Sequence, residues 1–171
     1  GGTATALTSG MAWDYQPRYS PDGSEILYTS DGGGSDNLGI MKADGSDPKA
    51  FTAEGDKVTN SGAWSHDGKY TVGKRRITDA SSIGATELWL YHRTGGSGMQ
   101  ITKKGALPEV SEPVFDVEGR YLYFSCRPTR FRYDRDVNDG LFQIRRYDRE
   151  NAEITAITSR FGGAGRPALS P

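Results

Sequence analysis

The sequence predicts an all-β fold: a β-propeller of about three four-stranded antiparallel blades that make up part of a ring. Two observations lead to this prediction. A glycine-closed turn preceded by an apolar residue recurs along the chain, and short strand-like runs end repeatedly on an apolar-threonine pair. Repeats of about 40 to 50 residues with four strands each are typical of propeller blades. No stretch of about 11 residues has a convincing helical period.

The glycine-closed turn is the first landmark. The segments QPRYSPDG, SGAWSHDG and EPVFDVEG are alike, and RPALSP begins the same pattern near the end of the sequence. Gly23, Gly68 and Gly119 close the three full copies and supply the positive φ that such a turn needs. The apolar residues just before the turns are Tyr19, Trp64, Phe115 and Leu169. We expect Trp64 to be buried between two blades.

The second landmark is a pair of residues that ends the outermost strand of each blade. Its copies are Leu7-Thr8, Phe51-Thr52, Ile101-Thr102 and Ile157-Thr158. The two landmarks divide the chain into blades at about 15–53, 60–103 and 111–159, with flanking strands Thr3–Thr8 and Arg166–Pro171 that belong to incomplete blades. Asp44-Gly45 is a strong signal for a two-residue hairpin between the last two strands of the first blade. Three blades leave an open arc with two apolar end faces.

Within the blades, each strand is predicted from its alternating pattern. The first blade has Arg18–Ser20, Glu25–Thr29, Leu38–Lys42 and Pro48–Thr52. The second has Gly62–Ser65, Tyr70–Lys74, Glu87–His92 and Met99–Thr102. The third has Pro113–Phe115, Tyr121–Ser125, Phe142–Tyr147 and Glu153–Thr158.

Charge and composition exclude some classes of function. The chain has 21 basic and 22 acidic residues, so its net charge of −1 does not favour nucleic-acid binding. No apolar run approaches the roughly 20 residues of a membrane helix, so membrane insertion is not expected. No signal peptide is recognisable at the start of the sequence, which does not exclude export. The single cysteine, Cys126, has no partner for an intrachain disulfide.

The order of an aromatic residue, SPDG, an apolar strand, a DG hairpin and a closing leucine-threonine resembles the repeat of TolB-like, WD40-like propellers. The resemblance covers essentially the whole chain, with SPDG at Ser20–Gly23 as the best copy. Stretches such as ELWLYHRTGGSGMQIT are also similar to the amino-terminal propeller of proteins that fuse it to an amidohydrolase domain. This narrower resemblance implies an exported, periplasmic parent protein whose metal-dependent hydrolase lies outside this sequence.

The segment 127–140, RPTRFRYDRDVNDG, is the first candidate for a ligand or partner site. Its arginines and aromatic residues are Arg127, Arg130, Phe131, Arg132, Tyr133 and Arg135. Such residues dominate interface hot spots, and long loops often carry function. A solvated loop whose charges pair among themselves is an equally good interpretation.

Polar residues at the start of the innermost strands form the second candidate site. They are Asp14, Gln16, Glu112 and Arg166, at comparable places before each turn. In a propeller these positions lie near the central channel, where they could meet a ligand or partner. Structural pairing on adjacent blades, for example of Glu112 with Arg166, is at least as good an expectation.

Three further features favour ordinary structural roles. His66 and His92 are far apart along one blade, and we expect no metal site or cofactor. Cys126 is expected to be a packed strand residue. The oxygen-rich loop Ser30–Asn37 lacks the ligand spacing of an EF-hand, which favours a plain hairpin connection over calcium binding.

We therefore predict a non-catalytic module for protein contact or substrate gating, inside a larger exported hydrolase-type protein. The alternative is a stand-alone protein that oligomerises into a closed propeller with a small ligand in its channel. In isolation we expect a homo-oligomer, such as a dimer in which the third blade of one copy meets the first blade of the other. An enzyme in its own right is the weakest hypothesis, because no paired carboxylates or triad occur in a suitable context.

Overall fold

The structure, a computed structural model, describes residues 2–52, 58–76, 85–103, 107, 109–127 and 141–170. These residues form three antiparallel sheets of four strands, each in simple meander order. Blade 1 has β1 (Asp14–Tyr19), β2 (Glu25–Ser30), β3 (Asn37–Lys42) and β4 (Lys49–Ala50). Blade 2 has β5 (Thr59–Trp64), β6 (Tyr70–Arg76), β7 (Thr86–His92) and β8 (Met99–Gln100). Blade 3 has β9 (Glu109–Phe115), β10 (Tyr121–Arg127), β11 (Gln143–Asp148) and β12 (Ile154–Ala156).

The predicted partial propeller is confirmed, and the largest differences lie in the innermost and outermost strands. Each innermost strand starts three or four residues before its predicted start. The reason is that it already pairs with the second strand of its blade before an irregularity, a shift in the pairing register. Each outermost strand is shorter than predicted, at two or three residues. The DG hairpin of blade 1 has three linking residues, not two, because the Lys42 amide donates to the Ser46 carbonyl at 2.9 Å.

The irregularity is a bulge that recurs at one position of every innermost strand. Gln16, Ser61 and Glu112 have φ values of 55°, 55° and 52°, a conformation that non-glycine residues adopt rarely. Arg166 also has φ 55° and stands at the same distance before the turn residues. A proline follows three of them, Pro17, Pro113 and Pro167, and it has no N–H to donate to the ladder, whereas Gly62 follows Ser61.

The predicted flanking strands are not strands among the described residues. Residues 3–8 have no strand assignment, and Leu7 lies against the blade 1 hairpin, where a Cβ added to Gly45 would be 3.2 Å from Leu7 Cβ. Residues 166–170 have none either, although they occupy an innermost-strand position beside blade 3. The Ala164 amide donates to the Phe142 carbonyl at 2.6 Å, as the Thr59 amide donates to the Asp36 carbonyl at 2.8 Å. A strand there needs a partner strand that the described residues do not supply.

The threonines of the apolar-threonine pairs hold the outer strands. The hydroxyls of Thr52, Thr102 and Thr158 each accept a hydrogen bond from a backbone amide of the third strand, at 2.9 Å in all three blades. The donors are the amides of Leu38, Leu88 and Ile144. The residue before each threonine donates its amide to the same third-strand residue. A threonine in this place therefore closes a blade without a long fourth strand.

Two of the three buried clusters of the described residues lie in the seams between blades, and the third consists of Ile26, Tyr28 and Met41 of blade 1. Leu27, Leu38, Ile40 and Trp64 form the seam between blades 1 and 2. The seam between blades 2 and 3 is larger and includes Val72, Leu88, Leu90, Phe115 and Phe124. Trp64 is only 9% exposed, which confirms its predicted place between blades. Tyr19 and Leu169, at equivalent positions, are 63% and 43% exposed, because no described sheet precedes blade 1 and Leu169 belongs to no described sheet.

The polar turns that join the two inner strands hold themselves together. In blade 1 the Asp22 carboxylate accepts hydrogen bonds from Ser20 Oγ at 2.6 Å and from the Ser24 amide at 3.0 Å. These bonds, the one from Ser20 first, keep the pKa of Asp22 well below its usual range. In blade 3 Asp116 stands at the position of Ser20, and its Oδ1 accepts a hydrogen bond from the Tyr121 amide at 2.9 Å. No helix in the described part of the chain is long and apolar enough to cross a membrane.

Candidate functional site

A concave groove of about 960 Å³ runs along the innermost strands. Its walls come from the bulges, the strand residues after them and the turns of all three blades, together with residues 166–170. Three of the four residues predicted for the channel line it: Gln16, Glu112 and Arg166. The innermost strands of a propeller surround its central channel, so this groove is the channel side of the arc.

The bulge residues of blades 1 and 2 join the two blades at one end of the groove. Gln16 Oε1 accepts hydrogen bonds from the Ser61 amide at 3.0 Å and from Thr29 Oγ1 at 3.1 Å. Gln16 Nε2 donates to Ser61 Oγ at 3.3 Å. Because the bulge turns the Ser61 amide out of its own ladder, the neighbouring blade can capture it. This pairing uses the Gln16 side chain for structure.

The bulge residues of blade 3 and of the following segment form the equivalent link. Arg166 Nε donates to Glu112 Oε1 at 2.8 Å, and the Arg166 amide donates to Ser125 Oγ at 2.8 Å. The hypothesis of pairing between Glu112 and Arg166 is thus confirmed. The Arg166 side chain is still 87% exposed, so its guanidinium faces the groove with donors to spare.

The groove also presents apolar side chains and a second cation. Tyr19, Val117 and Leu169 are exposed large apolar residues in its lining. Arg18, also exposed, follows the first bulge. Apolar area beside guanidinium groups suits a protein segment with apolar and acidic side chains.

Asp14, grouped with the channel residues from its sequence position, lies elsewhere. It precedes the bulge by two residues and lines a separate cavity of about 830 Å³ with Trp13, Asp31 and Asp36. The sequence spacing did not show that the bulge separates Asp14 from the groove. The expectation of Asp14 as a channel residue is therefore corrected.

The polar residues of this second cavity are occupied by bonds within the chain. Tyr15 Oη donates to Asp36 Oδ2 at 2.6 Å, and Asn60 Nδ2 donates to the same oxygen at 3.0 Å. Burial, and then the bond to Asp36, raise the pKa of Tyr15 to about 12. Asp31 Oδ1 accepts from the Trp13 amide at 2.7 Å. Asp31 and Asp36, both in the loop Ser30–Asn37, therefore have a structural role: their bonds hold the start of β1 in place.

The arginine-rich segment predicted as a binding loop falls almost wholly outside the described residues, which resume at Leu141. Its first residue, Arg127, ends β10. The Arg127 guanidinium lies over the Phe142 ring at 4.8 Å, and its Nε is 3.4 Å from Glu109 Oε2. Arg127 is therefore packed against Phe142 and Glu109 at the end of β10. Binding by Arg130, Phe131, Arg132, Tyr133 and Arg135 stays a prediction.

Cys126 is fully buried in the seam between blades 2 and 3, and burial raises the pKa of its thiol. A buried thiol with a raised pKa is a poor nucleophile, which agrees with a packing role. His66 is exposed in the lining of the groove, whereas His92 Nδ1 lies 2.8 Å from Thr94 Oγ1 at the end of β7. Within the described ranges, no three His, Cys, Asp or Glu residues are grouped to hold a metal ion.

Sequence reasoning missed Ser61, the fourth bulge residue, and a pair of arginines that cross the seams. Arg93 of blade 2 reaches back to Glu25 of blade 1, and Arg149 of blade 3 reaches back to the Tyr70 ring of blade 2, at 5.1 Å. A signal existed for both. A proline or glycine follows each bulge residue, and each arginine stands two residues after a tyrosine at the end of a third strand.

No family model matches the chain. It is similar to the solved structure of TolB from Agrobacterium tumefaciens, with a TM-score of 0.74, 22% identity and coverage of 96% of this chain and 56% of that one. TolB from Acinetobacter baumannii matches with a TM-score of 0.62, 19% identity and coverage of 83% and 31%. Oligogalacturonate lyase from Vibrio parahaemolyticus matches with a TM-score of 0.65, 15% identity and coverage of 89% of this chain and 42% of that one. The chain thus spans about half, or less, of these structures.

Proposed function

We propose that this chain, whose fold is a partial TolB-like β-propeller, serves as a non-catalytic module that contacts or gates another part of a larger exported hydrolase-type protein. The groove is the observation that carries the proposal. It combines exposed apolar side chains with exposed guanidinium groups in a concave surface, the shape that binding sites take. Its bulge residues are hydrogen-bonded in pairs, Gln16 with Ser61 and Glu112 with Arg166, so the surface is formed before any partner binds.

Two further points support a contact role. The polar bulge residues are held by bonds to one another, as Glu112 is by Arg166, which suits a scaffold. The side chains left exposed, Tyr19 and Arg18 among them, are of the types enriched in protein interfaces. The exported location and the neighbouring hydrolase rest on the resemblance of stretches such as ELWLYHRTGGSGMQIT, and both belong to this proposal.

The test is binding of the groove to the remainder of the longer protein, produced as a separate domain. Tyr19→Ser combined with Leu169→Ser should weaken that binding about tenfold or more, since exposed aromatic and aliphatic anchors carry interface energy. Met11→Ser is the matched control, because Met11 is 99% exposed and lies outside the groove lining. Unchanged affinity in the double variant, or an equal loss in the Met11 variant, would count against the groove.

The second candidate function is a stand-alone protein that closes its ring through several copies and binds a small ligand in the channel. The exposed Tyr19 and Leu169, at positions that are buried in the interior seams, favour it. The coding sequence on either side of this chain separates the two candidates: further SPDG-type repeats and a hydrolase support the module, and stop and start codons support the small protein.

A further inference from the structure

The outward face of blade 3 differs in chemistry from the faces that form the two interior seams. Leu38, Leu88 and Ile144 are equivalent, because each donates its amide to the closing threonine of its blade. Two residues further along the third strand, Ile40 of blade 1 and Leu90 of blade 2 therefore correspond to Arg146 of blade 3. Ile40 and Leu90 are buried in their seams. A cation therefore stands where the two interior seams have an aliphatic core residue.

The arginine that crosses each interior seam comes from the following blade. Arg93 Nη2 is 2.8 Å from Glu25 Oε2, and the Arg93 guanidinium also lies over the Trp64 ring at 5.3 Å. Arg149 lies over the rings of Tyr70 and Phe115 at 5.1 and 5.8 Å. In both seams the receiving blade offers an acid or an aromatic ring at the first residue of its second strand.

Blade 3 already fills that receiving position with its own cations. The residue equivalent to Glu25 and Tyr70 is Tyr121, and the guanidinium groups of Arg146 and Arg120 lie over its ring at 4.4 and 4.9 Å. A third arginine, arriving from a neighbour as Arg93 and Arg149 do, would meet two like charges at this ring. The neighbour of blade 3 cannot follow the pattern of the interior seams.

Two carboxylates near this face, those of Asp148 and Glu150, are already paired with Arg120. Arg120 Nη2 is 2.8 Å from Asp148 Oδ2, and Arg120 also pairs with Glu150 at 3.2 Å. Arg146 Nε, in contrast, is out of contact with solvent and has no hydrogen-bond acceptor among the described residues. A buried guanidinium N–H without an acceptor is costly, so this face favours a neighbour that brings one.

We propose that the outward face of blade 3 docks a β-hairpin of the adjoining protein that carries Asp or Glu at its turn, where blades 2 and 3 carry Arg93 and Arg149. The proposal rests on the proposed function, because it takes the chain as one section of a larger protein. Blade 1 shows that the fold does not require an arginine in this turn, because Ala43 stands at the position of Arg93 and Arg149 and Asp44 follows it. The docked hairpin covers Leu169 and places its carboxylate beside Arg146 and Arg120.

The test uses the full 171-residue chain and two cyclised hairpin peptides with the sequence of residues 86–102. One peptide keeps Arg93, and the other has Arg93→Glu. Fluorescence anisotropy should show that the glutamate peptide binds about tenfold tighter, the ratio expected for a gained ion pair at a partly buried site. In the Arg146→Leu chain, which restores the aliphatic residue of the interior seams, the preference should disappear. Arg76→Leu, an exposed arginine at the end of β6, is the control and should keep it.

Equal affinity of the two peptides, no binding of either, or a preference that survives Arg146→Leu would overturn the proposal. Loss of self-association in the Arg146→Leu chain, with no peptide preference in the unmodified chain, would assign the face to a second copy. Circular dichroism of each variant excludes loss of the fold as the cause. The groove variants Tyr19→Ser and Leu169→Ser are measured against the separately produced domain, and Arg146→Leu against the hairpin peptides, so failure of the docking proposal is distinguishable from failure of the proposed function.

Discussion

Arg93 of blade 2 crosses the first seam and holds Glu25 of blade 1, with Nη2 and Nε at 2.8 and 3.0 Å from the same carboxylate oxygen. The pair is partly buried, with side chains 30% and 23% exposed. Ser24 and Asp22, both in the turn beside Glu25, accept further bonds from the same guanidinium at 3.3 Å. One arginine thus joins the turn after the third strand of one blade to the turn and second strand of the blade before it.

We predict that this pair contributes measurable coupling to folding. A double-mutant cycle with Arg93→Ala and Glu25→Gln should give an interaction energy of about 1 kcal/mol, since neighbouring charged groups that share hydrogen bonds are not independent. Urea denaturation of the four proteins provides the measurement. The cycle Lys42→Ala with Asp47→Asn is the control, because that ion pair is solvent-exposed and should couple weakly. Equal coupling in both cycles would contradict a special role for Arg93.

Truncation of the seam tryptophan should be severely destabilising. Trp64 is packed against Leu27, Leu38 and Ile40, and its Nε1 donates to the Arg18 carbonyl at 3.2 Å. Trp64→Ala should lower the free energy of unfolding by about 3–5 kcal/mol through lost burial and a cavity. Trp13→Ala, at a tryptophan that is 77% exposed, should change it little. Similar melting temperatures for the two variants would show that Trp64 does not support the seam.

The Tyr15 hydroxyl predicts a specific alkaline behaviour. Its pKa is raised from 10.0 to about 12, first by burial and then by the bond to Asp36. A folded-state pKa above the unfolded value means that the stabilisation is complete below pH 10 and is lost as the pH rises towards 12. Ultraviolet titration should show that Tyr15→Phe removes one of the most alkaline of nine tyrosines. In Asp36→Asn the pKa of Tyr15 should fall. An unchanged titration would show that the bond to Asp36 does not raise this pKa.

The arginine-rich loop gives a prediction from sequence alone. Arg130, Arg132 and Arg135, replaced together by serine, should leave the stability nearly unchanged, because surface charges contribute little to folding. Affinity for the separately produced hydrolase domain of the longer protein should fall if the loop is a partner surface. Lys42→Ser, at an exposed lysine of the blade 1 hairpin, is the control. If affinity is the same in the triple variant, the loop is a solvated connection.

Self-association of the isolated chain is the last prediction. Tyr19 and Leu169 are 63% and 43% exposed, at positions whose equivalents are buried in seams. Large exposed apolar residues of this kind favour association, so the melting temperature should rise with protein concentration. Tyr19→Lys should weaken the effect. Sedimentation velocity gives the oligomeric state, and a compact monomer with a concentration-independent transition would refute the prediction.

The sequence by itself determined the repeats, the number of blades and most strand positions, because these depend on local signals. A glycine that closes a turn and a threonine that accepts a third-strand amide act within one blade, as at Gly23 and Thr52. Trp64 could be placed in a seam because a large apolar residue recurs at this position and another predicted blade precedes it along the chain. Glu112 and Arg166 could be paired because their positions repeat.

The tertiary structure decided how the blades meet. The positive φ at Gln16, Ser61 and Glu112 moves Asp14 into another cavity, and no alternation of residue types in the sequence encodes this displacement. Whether an arginine crosses a seam or stacks within its own blade depends on which face its strand turns towards the neighbour. Arg93 stands in the turn after β7 and reaches the blade before its own, whereas Arg146 lies within β11 and stacks on Tyr121 of its own blade. Only the packed sheets show this difference.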